Sequence, residues 1–328
     1  MELITVNNSS NQIIEPHSIV ETVNRNFIEA NTKAVTLQHL KEDCTIPVYA
    51  KDNESTISHF EFIDKTIEIV NQLFPEVQAK QPAIRVSHII KGRIPSAIGK
   101  PAKELLEHEK TLYYERCAFV IEIPSVNKKV NGNELSLSIG GVRAYNQENL
   151  YSRKNLEKFK LFIGFQNKVC TNMCISTDGF SNEIRIASIE ALTNKAGELF
   201  SAYNMQKQLD VMESMANFSL NEEQFAHFIG KIKMYQHLNK NEQKWLFPIG
   251  ISDSQLSHVV KDYYRCPNFG KNEDGSINLW NLYNLFTEAN KSSYIDSNLE
   301  RNVKAYELIN NLTNSIKNQE SNYLLPSI

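Results

Sequence analysis

Between residues 83 and 180 the apolar positions recur with a period of two, the signature of half-buried strands. In segment 84–94, Ile84, Val86, His88 and Ile90 point one way and Arg85, Ser87, Lys91 and Arg93 the other, until Pro95 ends the run. In "TLYYERCAFVIEI" (111–123), Tyr113, Cys117, Phe119, Ile121 and Ile123 share one parity, while Tyr114, Arg116, Val120 and Glu122 share the other. A loop, "PSVNKKVNGN" (124–133), leads to "ELSLSIGGVRAY" (134–145), which predicts an antiparallel hairpin with a long connection. Gly140-Gly141 marks a bulge or a close backbone approach. "KFKLFIGF" (158–165) and "KVCTNMCIS" (168–176) complete the strands, and Asp178-Gly179 supplies the turn out of them.

Helical patterning brackets this region. Ser58 caps a helix that runs to about Phe74 and is stopped by Pro75, and Pro101 opens a short helix through about Glu109. Beyond about residue 183, Ile189, Leu192, Ala196, Leu199 and Tyr203 recur at alternating spacings of three and four. Ser219 and Glu222 read as a capping box for a helix over 219–238, and Ser297 and Glu300 as another. "SINLWNLYNLFTEAN" (276–290) predicts a well-buried, aromatic-rich helix. Strands first and helices later imply an α+β fold, an antiparallel β-sheet in the N-terminal and central part followed by a mainly helical C-terminal half. The expected organisation is an irregular N-terminal segment (1–54), with a short strand at 45–50, a β-rich domain (55–182), and a helical domain (183–328) packed on the sheet.

Composition narrows the classes. The 328 residues carry a net charge of −3, so contact with nucleic acid or an anionic membrane requires a local basic patch. No apolar run approaches the roughly 20 residues that span a bilayer. The N-terminus lacks a basic region followed by an apolar core, which argues against a signal peptide. Five scattered cysteines make a poor disulfide framework and point to reduced thiols in the cytoplasm. On a continuous strand, Cys170 and Cys174 would lie on one face about 13 Å apart, too far to share a zinc ion or a disulfide. The frequent asparagines read as turn and cap formers.

Candidate chemistry is sparse. No phosphate-binding glycine loop, zincin helix or nucleophile elbow occurs. Glu115, Glu122, Asp178, His59 and His88 show no diagnostic metal spacing, and His88, on the apolar parity, reads as a core residue. No metal or cofactor is called for. The basic residues are more informative. Lys80, Arg85, Lys91, Arg93, Lys100 and Lys103 follow one another from 77 to 103 without an acid. A second group, Arg143, Arg153, Lys154, Lys158 and Lys160, is interleaved with Tyr145 and Tyr151. Basic side chains with aromatics on an exposed sheet are what a single-stranded nucleic-acid groove requires.

The run "SHIIKGRIPSAIGKPAKEL", with "TLYYERCAFVIEIP", "NGNELSLSIGGVRAYNQENLYSR" and "KFKLFIGFQNKVCTNMCISTDGF", resembles an uncharacterised domain-of-unknown-function family carried on Bacteroidetes conjugative and integrated mobile elements. "KVCTN" and the late "LWNLYNLFTEANKSSY" also resemble the broader phage/plasmid-like protein family, from which Asn290, Lys291 and Tyr294 depart. The resemblance covers roughly 55–315 and implies a cytoplasmic protein encoded with DNA-mobilisation, replication or host-conflict genes.

The reading that results is a non-enzymatic mobile-element accessory protein binding DNA, single-stranded DNA favoured, with the helical half supporting the sheet or mediating self-association. Arg85, Lys91, Arg93, Lys100, Lys103, Arg116, Arg143, Arg153, Lys154 and Lys160 would hold phosphates, and Tyr114 and Tyr145 would stack bases. Two rivals are a metal-dependent nuclease or hydrolase using Glu115, Glu122 and Asp178, and a protein–protein module that interferes with a host defence complex.

Overall fold

A computed structural model describes residues 26–44, 46, 56–77, 79–147 and 156–326. The strand expected at 45–50 lies almost wholly outside them. In chain order the elements are β1 (Lys33–Val35), α1 (Leu37–Glu42), α2 (His59–Leu73), β2 (Ala83–Val86), β3 (Ile89–Arg93), β4 (Lys110–Tyr114), β5 (Arg116–Val130), β6 (Asn133–Ala144), β7 (Glu157–Asn167), β8 (Met173–Cys174) and β9 (Phe180–Ile186). There follow α3 (Ile189–Ala202), α4 (Met205–Ala216), β10 (Ser219–Leu220), α5 (Glu222–Tyr235), α6 (Lys240–Gln243), α7 (Asp253–Arg265), β11 (Ile277–Asn278), α8 (Leu279–Asn290) and α9 (Ile295–Asn318). The fold is α+β: an antiparallel sheet in the order β1-β2-β5-β6-β7-β8, with β9 also on β7, precedes helices α3–α9 of the C-terminal part, while α1 and α2 lie between β1 and β2 in the chain. Among the described residues no helix is long and apolar enough to cross a membrane.

The strands follow the period-two pattern but break where the sequence reading ran on. Residues 84–94 are two strands, not one: β2 pairs with β5 in the main sheet, while β3 pairs with β4 in a separate two-stranded ribbon. The run 111–123 divides likewise at Glu115, into β4 and β5. The expected long loop at 124–133 is strand instead. β5 bulges between Ile123 and Asn127, where Pro124 sits, and then continues to a tight Asn131-Gly132 turn. Both turn residues have positive φ (47° and 79°), the backbone a two-residue type I′ hairpin demands. Pro101–Glu109 forms short 3₁₀ turns in place of the expected helix. Nor is 168–176 one strand: only Met173–Cys174 pairs with β7, after a turn at 168–170 and a left-handed Thr171 (φ 60°). The Asp178-Gly179 turn leads back into the sheet as β9, and the expected boundary at 182/183 falls inside that strand.

Capping explains the helix starts. Ser58 and Glu61 form the reciprocal box that begins α2. The box expected at Ser219 is made two residues later by Asn221 and Gln224, because Ser219–Leu220 pairs with β11. Ser297 lies inside α9, where its hydroxyl donates to the Tyr294 carbonyl (3.2 Å), so it is no cap. Asparagine caps α4, α5, α6 and α8, as its abundance suggested.

The core has two faces. Odd-numbered residues of β5, β6 and β7, such as Phe119, Ile139 and Ile163, join α2, α3 and the C-terminal helices in one continuous cluster. Even-numbered Ala118, Val120, Val142 and Phe162 meet Ile295, Leu299 and Val303 of α9 on the opposite face. Helix α8 is buried on every side, from Leu279 to Asn290 apart from Asn281 and Glu288. Its Asn284 donates to the Trp280 carbonyl (2.9 Å) and accepts from Asn167 Nδ2 (3.1 Å), and its carbonyl accepts from Asn172 Nδ2 (2.9 Å).

Gly140 and Gly141 mark a close approach. A Cβ on Gly140 would lie 2.1 Å from the Phe119 carbonyl oxygen, and one on Gly141 2.6 Å from the Lys160 carbonyl oxygen. Gly140→Ala is expected to lower stability by at least about 2 kcal/mol, within the range of overpacked cores. Gly197→Ala, on a helix with open space around it, is expected to raise it by up to about 1 kcal/mol. Urea midpoints at constant slope measure both, and a neutral Gly140→Ala would contradict the packing described.

Candidate nucleic-acid interface

The candidate basic residues divide among three environments. The first is the interior. Arg143 follows the odd, core-facing parity of Leu137 and Ile139, and it is 1% exposed. It pairs with Glu157 Oε2 at 2.5 Å, donates to the Ile57 carbonyl, and lies over the rings of Tyr145 (4.6 Å) and Phe159 (4.4 Å). Tyr145 is buried against His59, with ring centroids 4.4 Å apart. Tyr114 is buried, and its hydroxyl meets His39 Nε2 at 2.9 Å. Arg143, Tyr114 and Tyr145 are therefore structural, because each turns into packed core where neither phosphate nor base can reach.

The second environment is the even face of the main sheet. Register places Arg85, Ala118, Val142 and Lys160 in one cross-strand row over four strands. Arg116 stands beside that row, opposite Ala144. A cavity of about 190 Å³ opens here, lined by Val142, Ala144, Lys158, Lys160, Asn182 and Glu183. Its cations are already engaged. Arg116 lies 3.4 Å from Glu115 and 3.8 Å from Asp296, and Lys158 lies 3.3 Å from Glu183. Lys160 donates to the Asp296 carbonyl at 2.6 Å, and burial lowers its pKa against the opposing pull of Glu300, Asp296 and Glu183. Arg85 is held by Thr32 (Nε to Oγ1, 3.0 Å) and Asn26 (3.3 Å). Each of these cations thus already has a partner within the protein.

The third environment is the β3–β4 ribbon. Lys91 opposes Leu112 and Arg93 opposes Lys110, so Lys91, Arg93 and Lys110 share one face. The connection between the strands adds Lys100 and Lys103. Lys100 pairs with Glu109, Arg93 donates to the Lys100 carbonyl, and Lys110 meets Glu107 at 2.5 Å. Lys91 and Lys103 are exposed and have no carboxylate partner among the described residues. Ile98 and Leu106, 65% and 56% exposed, stand on the same excursion. Lys110 was missed in the sequence because only the strand register brings it beside Arg93. Arg153 and Lys154 lie outside the described residues.

The rival sites are dispersed. Glu122 pairs with Lys80 (2.7 Å), Glu115 lies beside Arg116, and Asp178 accepts from the Asn204 N–H (3.2 Å). Among the described residues no group of three His, Cys, Asp or Glu side chains is placed to hold a metal ion. His88 is exposed, not core, because the chain changes sheets at that point. None of the five cysteines forms a disulfide, and burial pushes the thiols of Cys117 and Cys174 well up and that of Cys44 to about 11, away from reactive thiolates.

A family model described as a domain of unknown function, B. Theta Gene description (DUF3871), matches residues 7–325. No curated protein and no solved structure matches the chain.

His59 gives this region a pH signature. Burial first, and then Arg143, lowers its pKa from 6.5 to about 3, while its Nε2–H donates to the Tyr114 carbonyl. Between those values the unfolded chain binds a proton that the folded chain does not. Stability is therefore full above about pH 6.5 and falls as pH drops toward 3, by up to about 1.4 kcal/mol per pH unit. Urea midpoints at pH 7.5 and pH 5 are expected to show this loss, with a shallower dependence in His59→Gln. An equal dependence in both proteins would contradict the assignment.

Proposed function

The chain belongs to the DUF3871 family, and from that premise we propose that it is a non-enzymatic nucleic-acid-binding protein that holds single-stranded DNA along the β3–β4 ribbon. The observation that carries this reading is the grouping of Lys91, Arg93 and Lys110 on one ribbon face, beside exposed Lys100 and Lys103. Phosphate binding favours accessible cations, and the ribbon offers exposed Lys91 and Lys103 without a carboxylate partner among the described residues. Beside them stand Lys100 and Lys110, whose ion pairs with Glu109 and Glu107 a phosphate would have to displace. A ribbon presents its charges in a row at strand spacing, which suits the repeating phosphates of an extended strand. The resemblance to mobile-element proteins supplies the setting: an accessory factor acting in the cytoplasm where element DNA is exposed during transfer or replication.

A second reading rests on Ile98 and Leu106. Two large apolar side chains exposed on one excursion suit a protein partner, including a second copy of the chain.

Fluorescence anisotropy with a labelled oligonucleotide across a salt series tests the proposal. Three to five phosphate contacts on a single strand are expected to give a slope of log affinity against log salt of about −2 to −3.5. Lys91→Glu with Arg93→Glu is expected to weaken binding at least about tenfold at low salt without altering the circular dichroism spectrum. No binding at about 50 mM salt, or unchanged affinity in the double variant, would sink the ribbon assignment.

A further inference from the structure

Trp245 is 89% exposed, whereas the second tryptophan, Trp280, is fully buried. Leaving an indole in water forfeits a large burial energy, so its position asks for a reason. The segment carrying it follows α6 and faces the C-terminal end of α9 and the residues after it. Between them runs an open groove of about 360 Å³, whose walls include Trp245, Phe247, Asn311, Ser315, Asn322 and Tyr323. That volume is at the small end of ligand sites, which span about 300–1,000 Å³.

The groove is built from rings and fixed amides. Asn322 Nδ2 donates to Asn311 Oδ1 (3.1 Å) and to Ser315 Oγ (2.9 Å), which locks the polar floor. The Lys231 ammonium stands over the Tyr323 ring at 4.7 Å, and Lys244 directly precedes Trp245. Lys231, Lys240 and Lys244 have no carboxylate within ion-pair distance among the described residues, unlike Arg116 and Lys158 of the sheet face. One carboxylate, Glu320, lines the rim. An exposed indole, fixed amides and ammonium groups without a carboxylate partner suit an unpaired base with its phosphates. In a duplex the base faces are covered by their neighbours, so the platform suits a single strand.

We infer that this groove is a base-stacking subsite for single-stranded nucleic acid, with a base on Trp245 and the flanking phosphates on Lys231 and Lys244. The inference rests on the nucleic-acid reading given above and adds a contact on the helical side of the molecule.

Titrating the full chain with a thymidine 12-mer, an abasic 12-mer and a blunt duplex tests it, following tryptophan emission together with the anisotropy of labelled oligonucleotide. The thymidine 12-mer is expected to quench the solvent-exposed Trp245 emission, leaving buried Trp280 as an internal reference, while the abasic strand binds without quenching. Trp245→Ala is expected to weaken the thymidine 12-mer about 5- to 150-fold, Trp245→Phe less, and duplex binding not at all. Residual quenching in the Lys91→Glu/Arg93→Glu protein would show the groove acting independently of the ribbon and supports it. Binding of the thymidine 12-mer with unchanged emission and unchanged affinity in Trp245→Ala overturns the subsite while leaving the nucleic-acid reading intact. Absence of binding by every oligonucleotide overturns both. Quenching by a proline-rich 12-mer peptide but not by the thymidine 12-mer assigns the groove to a protein partner and also overturns it.

Discussion

The structure depends on an amide junction between the outer edge of the sheet and the central helix. Helix α8 is enclosed on nearly all sides, so its polar Asn284 has to find partners inside the protein. Burying an amide without hydrogen bonds costs several kcal/mol, and the sheet supplies them from Asn167 and Asn172. Nearby, the buried Lys291 ammonium pairs with Glu288 at 2.9 Å and donates to the Cys170 carbonyl, while the Lys291 carbonyl accepts from the N–H of Glu29 at 2.8 Å. Asn290, Asn298 and Asn302 continue the chain of amides into α9. The segments "KVCTN" and "LWNLYNLFTEANKSSY", far apart in sequence, are thus two sides of one contact.

That junction sets which surfaces remain for binding. With α9 drawn against the even face of the sheet, Asp296 reaches Arg116, and the Asp296 carbonyl takes the Lys160 ammonium. Two cations of the sheet face, Arg116 and Lys160, are therefore met by the carboxylate and the carbonyl of Asp296, on a helix far later in the chain. The ribbon differs because β3 and β4 leave the main sheet and, among the described residues, pair only with each other, and its acids, Glu107 and Glu109, come from its own connection.

Much of the fold was legible. The period-two run from 83 to 180, the Ser58 cap and the buried character of 276–290 all follow local rules that the structure obeys. Errors arose where one run serves two structures. Residues 84–94 alternate throughout, yet the chain changes sheets at Ser87-His88, which no periodicity marks. Asn131-Gly132 is a local hairpin signal, and Pro124 marks a bulge within β5, so the residues between them are strand and not loop. Arg143 was misplaced although its parity with Leu137 and Ile139 pointed inward; a buried arginine needs a buried acid, and Glu157 becomes its partner only through strand pairing. Abundant asparagine predicts caps, and several are caps, but the burial of Asn167, Asn172 and Asn284 is a tertiary fact.

A double-mutant cycle on Asn167→Ala and Asn284→Ala, read by urea denaturation, tests most directly whether the amide junction joins the two halves. The account predicts a coupling energy of about 1 kcal/mol or more, with far-UV and Trp280 signals lost in one transition. Strictly additive effects, within about 0.3 kcal/mol, would contradict it.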